Sequence, residues 1–138
     1  MNDMAETRKN YILLFRNIIW ALVIFVLCAI PGENIPNPQW SFPHLDKIVH
    51  FGLFFIMAIL LCGELEYQTR LTWRKIYLIT ISIAFIYGGI IELLQEYFFK
   101  RSGDMLDLLA DVLGAIIGCL VYPQLKQWRN RLKKQNNN

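Results

Sequence analysis

The chain has 138 residues, 55% of them hydrophobic and only 18% charged, with a formal net charge of +3. Soluble domains carry about 25% charge, and here the charge is confined to short stretches between long apolar runs, which excludes an ordinary soluble domain and points to a multi-span membrane protein. The mild, scattered positive charge argues against nucleic acid as a partner and bears instead on membrane orientation.

A spanning helix needs about 20 mostly apolar residues. The first such run is YILLFRNIIWALVIFVLCAI, residues 11–30, ended by Pro31 and Gly32. It has no A-x-A-like cleavage site and is read as a retained helix rather than a signal peptide. Arg16, about two turns inside it, is expected to snorkel to lipid phosphates. Residues 31–44 hold four prolines and resist regular structure, with Trp40 and Phe42 suited to the interface. The second run, residues 48–62, reaches spanning length only by taking in Leu45–Lys47 and residues up to about Leu65. Residues 63–75 are polar and charged, and Glu64 and Glu66 are expected on a solvated face. The third span runs from about Ile76 to Phe98, KRSGD follows, and the fourth runs from about Met105 to Tyr122, where Pro123 is expected to stop it. The remaining tail is basic and ends in asparagines. Cys28, Cys62 and Cys119 match no metal-binding spacing and are read as small apolar helix residues.

The expected fold is therefore all-α, a four-helix transmembrane bundle with both termini cytoplasmic. Residues 1–10 form a cytoplasmic segment, 11–123 the membrane domain and 124–138 a basic cytoplasmic tail. The orientation follows from Lys and Arg. Eleven of the fourteen fall on the side of the termini and the second loop, and only Lys47, Lys100 and Arg101 fall on the other.

This topology gathers the unusual polar residues at the outer face. Asp46, Lys47 and His50 open the second span; Glu92, Gln95 and Glu96 end the third; Arg101 and Asp104 lie in the loop; Asp107 and Asp111 enter the fourth span. Asp46 and His50 share a helix face at i,i+4, and Asp104, Asp107 and Asp111 form one stripe. Asp111 lies roughly 9 Å inside its span, where a carboxylate costs about 2.5–3.5 kcal/mol. It should face the bundle interior and find Lys47, His50 or Arg101. Gly114 and Gly118 form a G-x-x-x-G that, with Gly88 and Gly89, is expected to let spans three and four approach closely.

DKIVHF at residues 46–51, then E-x-x-Q (Glu92, Gln95), an aromatic and Arg101, the spaced aspartates and the G-x-x-x-G together resemble the two signatures of the VanZ-like family, over about residues 15–122. Asp111 departs from the pattern, in which Asn is usual. The resemblance implies a small, multi-pass protein of the bacterial inner (cytoplasmic) membrane with about four helices. It also implies a link to low-level resistance to teicoplanin, a glycopeptide antibiotic. It supplies no molecular activity.

The residues allow several readings. Asp46, Lys47, His50, Glu92, Gln95, Arg101, Asp104, Asp107 and Asp111 are candidates for a ligand-binding pocket at the outer leaflet. Arg101 and Lys47 would meet phosphate, and the carboxylates would accept sugar or peptide donors. The expected partners are membrane lipids, with a lipid-linked cell-wall precursor or glycopeptide as candidate ligand and no nucleic acid. A metal-dependent membrane enzyme would use His50, Asp46, Glu92, Asp107 and Asp111 for Mg²⁺, Mn²⁺ or Zn²⁺. A salt-bridge network that only fixes helix register and a proton-coupled transporter stay open beside these. No catalytic residue and no cofactor is assigned, because no Ser–His–Asp or H-E-x-x-H arrangement is present.

Overall fold

A computed structural model describes residues 2–30, 45–98 and 104–136. They form four helices: α1 (Asn2–Cys28), α2 (Leu45–Gln68), α3 (Trp73–Phe98) and α4 (Met105–Gln135). No strand occurs among the described residues. All four helices are long and apolar enough to cross a membrane. The Pro-rich stretch, with Trp40 and Phe42, and residues 99–103, which include Lys100 and Arg101, lie outside the described residues.

The helices run further than the apolar runs alone suggest. α2 begins at Leu45, as its length requires, but continues to Gln68, so the second connection shrinks to residues 69–72. Thr69 ends α2 by folding back, its Oγ1 donating to the Leu65 carbonyl at 2.5 Å while its N–H bonds the same carbonyl at 2.9 Å. Pro123 does not stop α4, which passes through it to Gln135. A helix-internal proline removes one backbone donor. With its amide turned to face the carbonyls, the neighbouring Gln124 side chain donates to Leu120 at 2.6 Å and Val121 at 2.8 Å, while the carbonyl whose donor the proline removes is that of Cys119, one turn back. At 1.5 Å per residue, 31 residues rise roughly 46 Å. That exceeds a hydrocarbon layer of about 30 Å, so the basic last third of α4 is a helical extension and not a separate tail.

α2 is the hub. It packs on all three other helices and most extensively on α4, whereas the backbones of α1 and α4 stay apart among the described residues. The closest approach is α2 to α4. A Cβ on Gly114 would collide with the Phe51 carbonyl oxygen and lie 3.1 Å from Phe55 N, and one on Gly118 would lie 2.6 Å from the Phe55 carbonyl oxygen. The G-x-x-x-G therefore seats α4 on α2, not on α3. Gly88 serves the α3–α4 contact, since a Cβ there would lie 2.6 Å from Asp111 Oδ2.

α1 is held by side chains that bond backbone carbonyls, as apolar segments in lipid require of their polar groups. Trp20 Nε1 donates to Leu53 at 3.0 Å, Tyr87 OH donates to Ala21 at 2.6 Å, and Gln95 Nε2 donates to Cys28 at 3.0 Å. The core between the helices is small and includes Ile24, Phe54, Ala58, Ile76 and Ala115, with Thr80, Cys62 and Cys119 at its centre. All three cysteines are free and buried.

Candidate functional site

The acidic end of the bundle is built from the first turns of α2 and α4 and the last turns of α3. Asp104 is the N-cap of α4. Its backbone is extended and its Oδ1 accepts from the Leu106 N–H at 2.8 Å, satisfying one of the donors that every helix start leaves unpaired. Its own N–H donates to Glu92 Oε2 of α3 at 2.8 Å. Asp107 and Asp111 follow at the spacing that turns both inward, and carboxylates in the first turns are favoured by the helix dipole.

The polar side chains form two layers. Nearer the helix ends, Lys47 Nζ donates to Asp104 Oδ2 at 2.7 Å, Asp107 Oδ1 at 3.0 Å and Asp46 Oδ2 at 3.2 Å. One turn deeper, His50 Nδ1 lies 3.0 Å from Asp111 Oδ1 and 4.0 Å from Glu92 Oε1. His50 Nε2 lies 3.9 Å from Cys28 Sγ, so the ring bridges α1, α2 and α4. His50, Glu92, Asp107 and Asp111 are all buried. Glu92 Oε1 and Asp111 Oδ2 are buried with no hydrogen-bond partner among the described residues. Such orphaned oxygens carry a desolvation cost and need an explanation.

Beside this network a slot of about 430 Å³ runs between α3 and α4. Phe85, Ile86, Ile90 and Leu108 line its apolar length, and Glu92, Glu96 and Asp104 line its polar end. Gly89 borders it, and a Cβ at that position would meet nothing within 4 Å.

A family model described as VanZ/LLP1 matches residues 2–127. The chain belongs to the VanZ/LLP1 family. An uncharacterised protein of the fission yeast Schizosaccharomyces pombe is 26% identical over 115 residues, covering 82% of this chain and 67% of that protein. No solved structure matches the chain. With four apolar helices and this match, the protein is a multi-pass membrane protein of the VanZ type.

In this VanZ-type chain, seven of the nine residues singled out by sequence stand in one network: Asp46, Lys47, His50, Glu92, Asp104, Asp107 and Asp111. Gln95 is buried and spends its amide on the end of α1, its Nε2 donating to the Cys28 carbonyl. Arg101 lies outside the described residues. Cys28 belongs beside the site, although sequence reading made it only a small apolar residue. Its signal is spatial, because nothing in the chain order relates it to His50.

The opposite, basic end holds a second polar system that sequence reading placed in solvent. Glu64 is buried and hydrogen-bonds Asn17, and Gln68 Nε2 donates to its Oε1 at 3.1 Å. Glu66 Oε2 accepts from Tyr122 OH at 2.9 Å, and its other oxygen pairs with Lys126. Arg16 does not simply reach outward: its Nη2 donates to the Leu60 carbonyl at 3.0 Å. Asn17 beside Arg16 inside an apolar run was the available sequence signal, since such residues seek partners on other helices.

Proposed function

We propose that the protein binds the polar head of a membrane amphiphile, an envelope lipid or a lipid-linked cell-wall precursor, with the tail in the α3–α4 slot. The observation that carries this reading is the slot. Its apolar walls lead to Glu92, Glu96 and Asp104, the order of surfaces that a tail followed by a head requires.

Charge selects the kind of head group. Asp46, Glu92, Asp104, Asp107 and Asp111 stand against Lys47 and His50, and Lys47 is already held by three carboxylates. The expectation that Lys47 meets phosphate is therefore replaced. A bare phosphate would be repelled here, whereas an ammonium or sugar hydroxyls would find acceptors. On the orientation read from Lys and Arg, the site opens to the outer leaflet of the bacterial inner membrane. A relative in fission yeast favours a ligand that bacteria and eukaryotes share, a membrane lipid, over a wall precursor. Protection against teicoplanin, which the resemblance implies, would run through the same carboxylates. It is checked by the susceptibility of a sensitive bacterium expressing wild type or Glu92→Gln at matched levels.

The direct test uses the full chain in neutral detergent, with lipid retention read by native mass spectrometry. Phosphatidylethanolamine and a glycosyl diacylglycerol offer donors from their heads; phosphatidylcholine with the same chains offers none. At least one donor-bearing lipid is expected to outcompete phosphatidylcholine. Glu92→Gln, which keeps an acceptor for the Asp104 N–H, is expected to weaken that lipid roughly tenfold, the worth of a hydrogen bond to a charged group. Equal retention of all three lipids would sink the reading.

One observation favours a second reading, a metal-dependent enzyme acting on a lipid-linked substrate. One ligand atom from each of His50, Glu92 and Asp107 lies within 4.8 Å of the others. Oxygen-rich sets suit hard divalent cations. It ranks second because the Lys47 ammonium already sits 3.0 Å from Asp107 Oδ1. Near-stoichiometric divalent metal in protein purified without chelator would favour it, and metal-free protein with unchanged lipid binding would remove it.

A further inference from the structure

We infer a second ligand site at the basic end of the bundle: a groove between α1 and α4, floored by α2, that holds a phosphate-bearing anion, carried by a lipid head group or free in solution. The groove has a volume of about 540 Å³, within the roughly 300–1,000 Å³ of small-ligand sites. It exists because the backbones of α1 and α4 stay apart among the described residues, which leaves a face of α2 as the floor between them.

Five cations line it: Lys9 and Arg16 from α1, and Lys126, Arg129 and Lys133 from α4. The spacing 126, 129, 133 keeps the α4 cations on one face. One carboxylate, Glu66, faces them, and it is already engaged by Lys126 and the Tyr122 hydroxyl. Glu64 is the next nearest acid on α2, but it is buried and bonded to Asn17 and Gln68. Lys9 Nζ rests 3.7 Å over the Tyr67 ring. Arg129 and Lys133 have no acidic partner among the described residues.

The floor suits an anion. Gly63 leaves it open, and a Cβ there would stand 3.4 Å from the Tyr122 hydroxyl and 3.8 Å from Arg16 Nη2. Arg16 commits one nitrogen to the Leu60 carbonyl, which fixes the guanidinium and leaves its other N–H donors for a ligand. A phosphate meets such a fixed fork with paired hydrogen bonds. Leu13 and Ile59 extend the lining as an apolar wall on which an acyl chain can lie. A bound anion would also relieve the mutual repulsion of the five cations.

The site is independent of the α3–α4 slot, and the test keeps the two apart. The full chain in neutral detergent is titrated with phosphatidylglycerol, with phosphatidylcholine of the same chains and with inorganic phosphate, and binding is read by native mass spectrometry. Phosphatidylglycerol is expected to bind roughly tenfold or more tighter than phosphatidylcholine. Arg129→Gln with Lys133→Gln, which breaks no ion pair among the described residues, should erase that preference while circular dichroism stays that of the wild type. Gly89→Leu, in the other slot, should leave it intact. Displacement of the lipid by phosphate at matched concentration assigns the groove to a free anion; failure to displace assigns it to the lipid head group. Equal binding of both lipids with no phosphate bound, or a preference that survives the double variant, overturns the inference.

Discussion

Gly114→Val is expected to prise α4 from α2 and destabilise the bundle by about 3 kcal/mol or more, the upper part of the range for overpacking. The obstacle is backbone: a Cβ would strike the Phe51 carbonyl and lie 3.1 Å from Phe51 C and from Phe55 N. A flexible side chain could turn aside, but a helix carbonyl is fixed by its own hydrogen bond. The α2–α4 contact also positions Asp107 and Asp111 opposite Lys47 and His50, so the loss should reach the acidic site. Unfolding by sodium dodecyl sulfate measures the global effect. Alkylation of Cys119, which is buried, measures the local opening. An unshifted transition with Cys119 still protected would show that α4 is not seated as described.

The second large effect is expected at Lys47. Lys47→Met removes the cation that holds three carboxylates, of which Asp107 is buried. Breaking a buried pair on one side typically costs about 3–5 kcal/mol because the remaining charge is stranded. The ammonium is itself partly exposed, and Asp46 and Asp104 can turn to water, so the lower end, about 3 kcal/mol, is expected. Replacing both partners, Lys47→Met with Asp107→Leu, should recover a substantial part of it, since an apolar pair strands no charge. A double-mutant cycle on the same denaturation assay isolates the coupling. Simple additivity of the two single losses would show that Lys47 and Asp107 do not act as a pair.

The four helices were legible from the apolar runs, three of them long enough to span and the second only with its flanking residues, so that the start of α2 at Leu45 follows from the length requirement. The convergence of Asp104, Asp107 and Asp111 on one face was legible from their spacing. What periodicity reports is which residues share a face, not which helix that face meets. It therefore missed that Gly114 and Gly118 seat α4 on α2, that Cys28 lies beside His50, and that Glu64 is buried against Asn17. Pro123 misled for a different reason. Proline is a reliable stop where water competes for the freed carbonyl, but in an apolar setting the pull of water is absent and the helix runs on through it. The engagement of Lys47 by Asp104 and Asp107 was equally invisible, because it depends on the relative rotation of two helices far apart in sequence.

Occupation of the α3–α4 slot by a lipid is best tested by filling the slot without disturbing the charges. Gly89→Leu does this: the position borders the slot, a Cβ there meets nothing within 4 Å, and leucine favours the helix more than glycine. Retention of donor-bearing lipids over phosphatidylcholine is compared between wild type and this variant by native mass spectrometry. If the slot holds the lipid, the preference falls roughly tenfold while unfolding is unshifted or moves to higher denaturant. If the variant keeps the full preference, the lipid is not bound between α3 and α4, and the acidic network would stand as a support for the bundle alone.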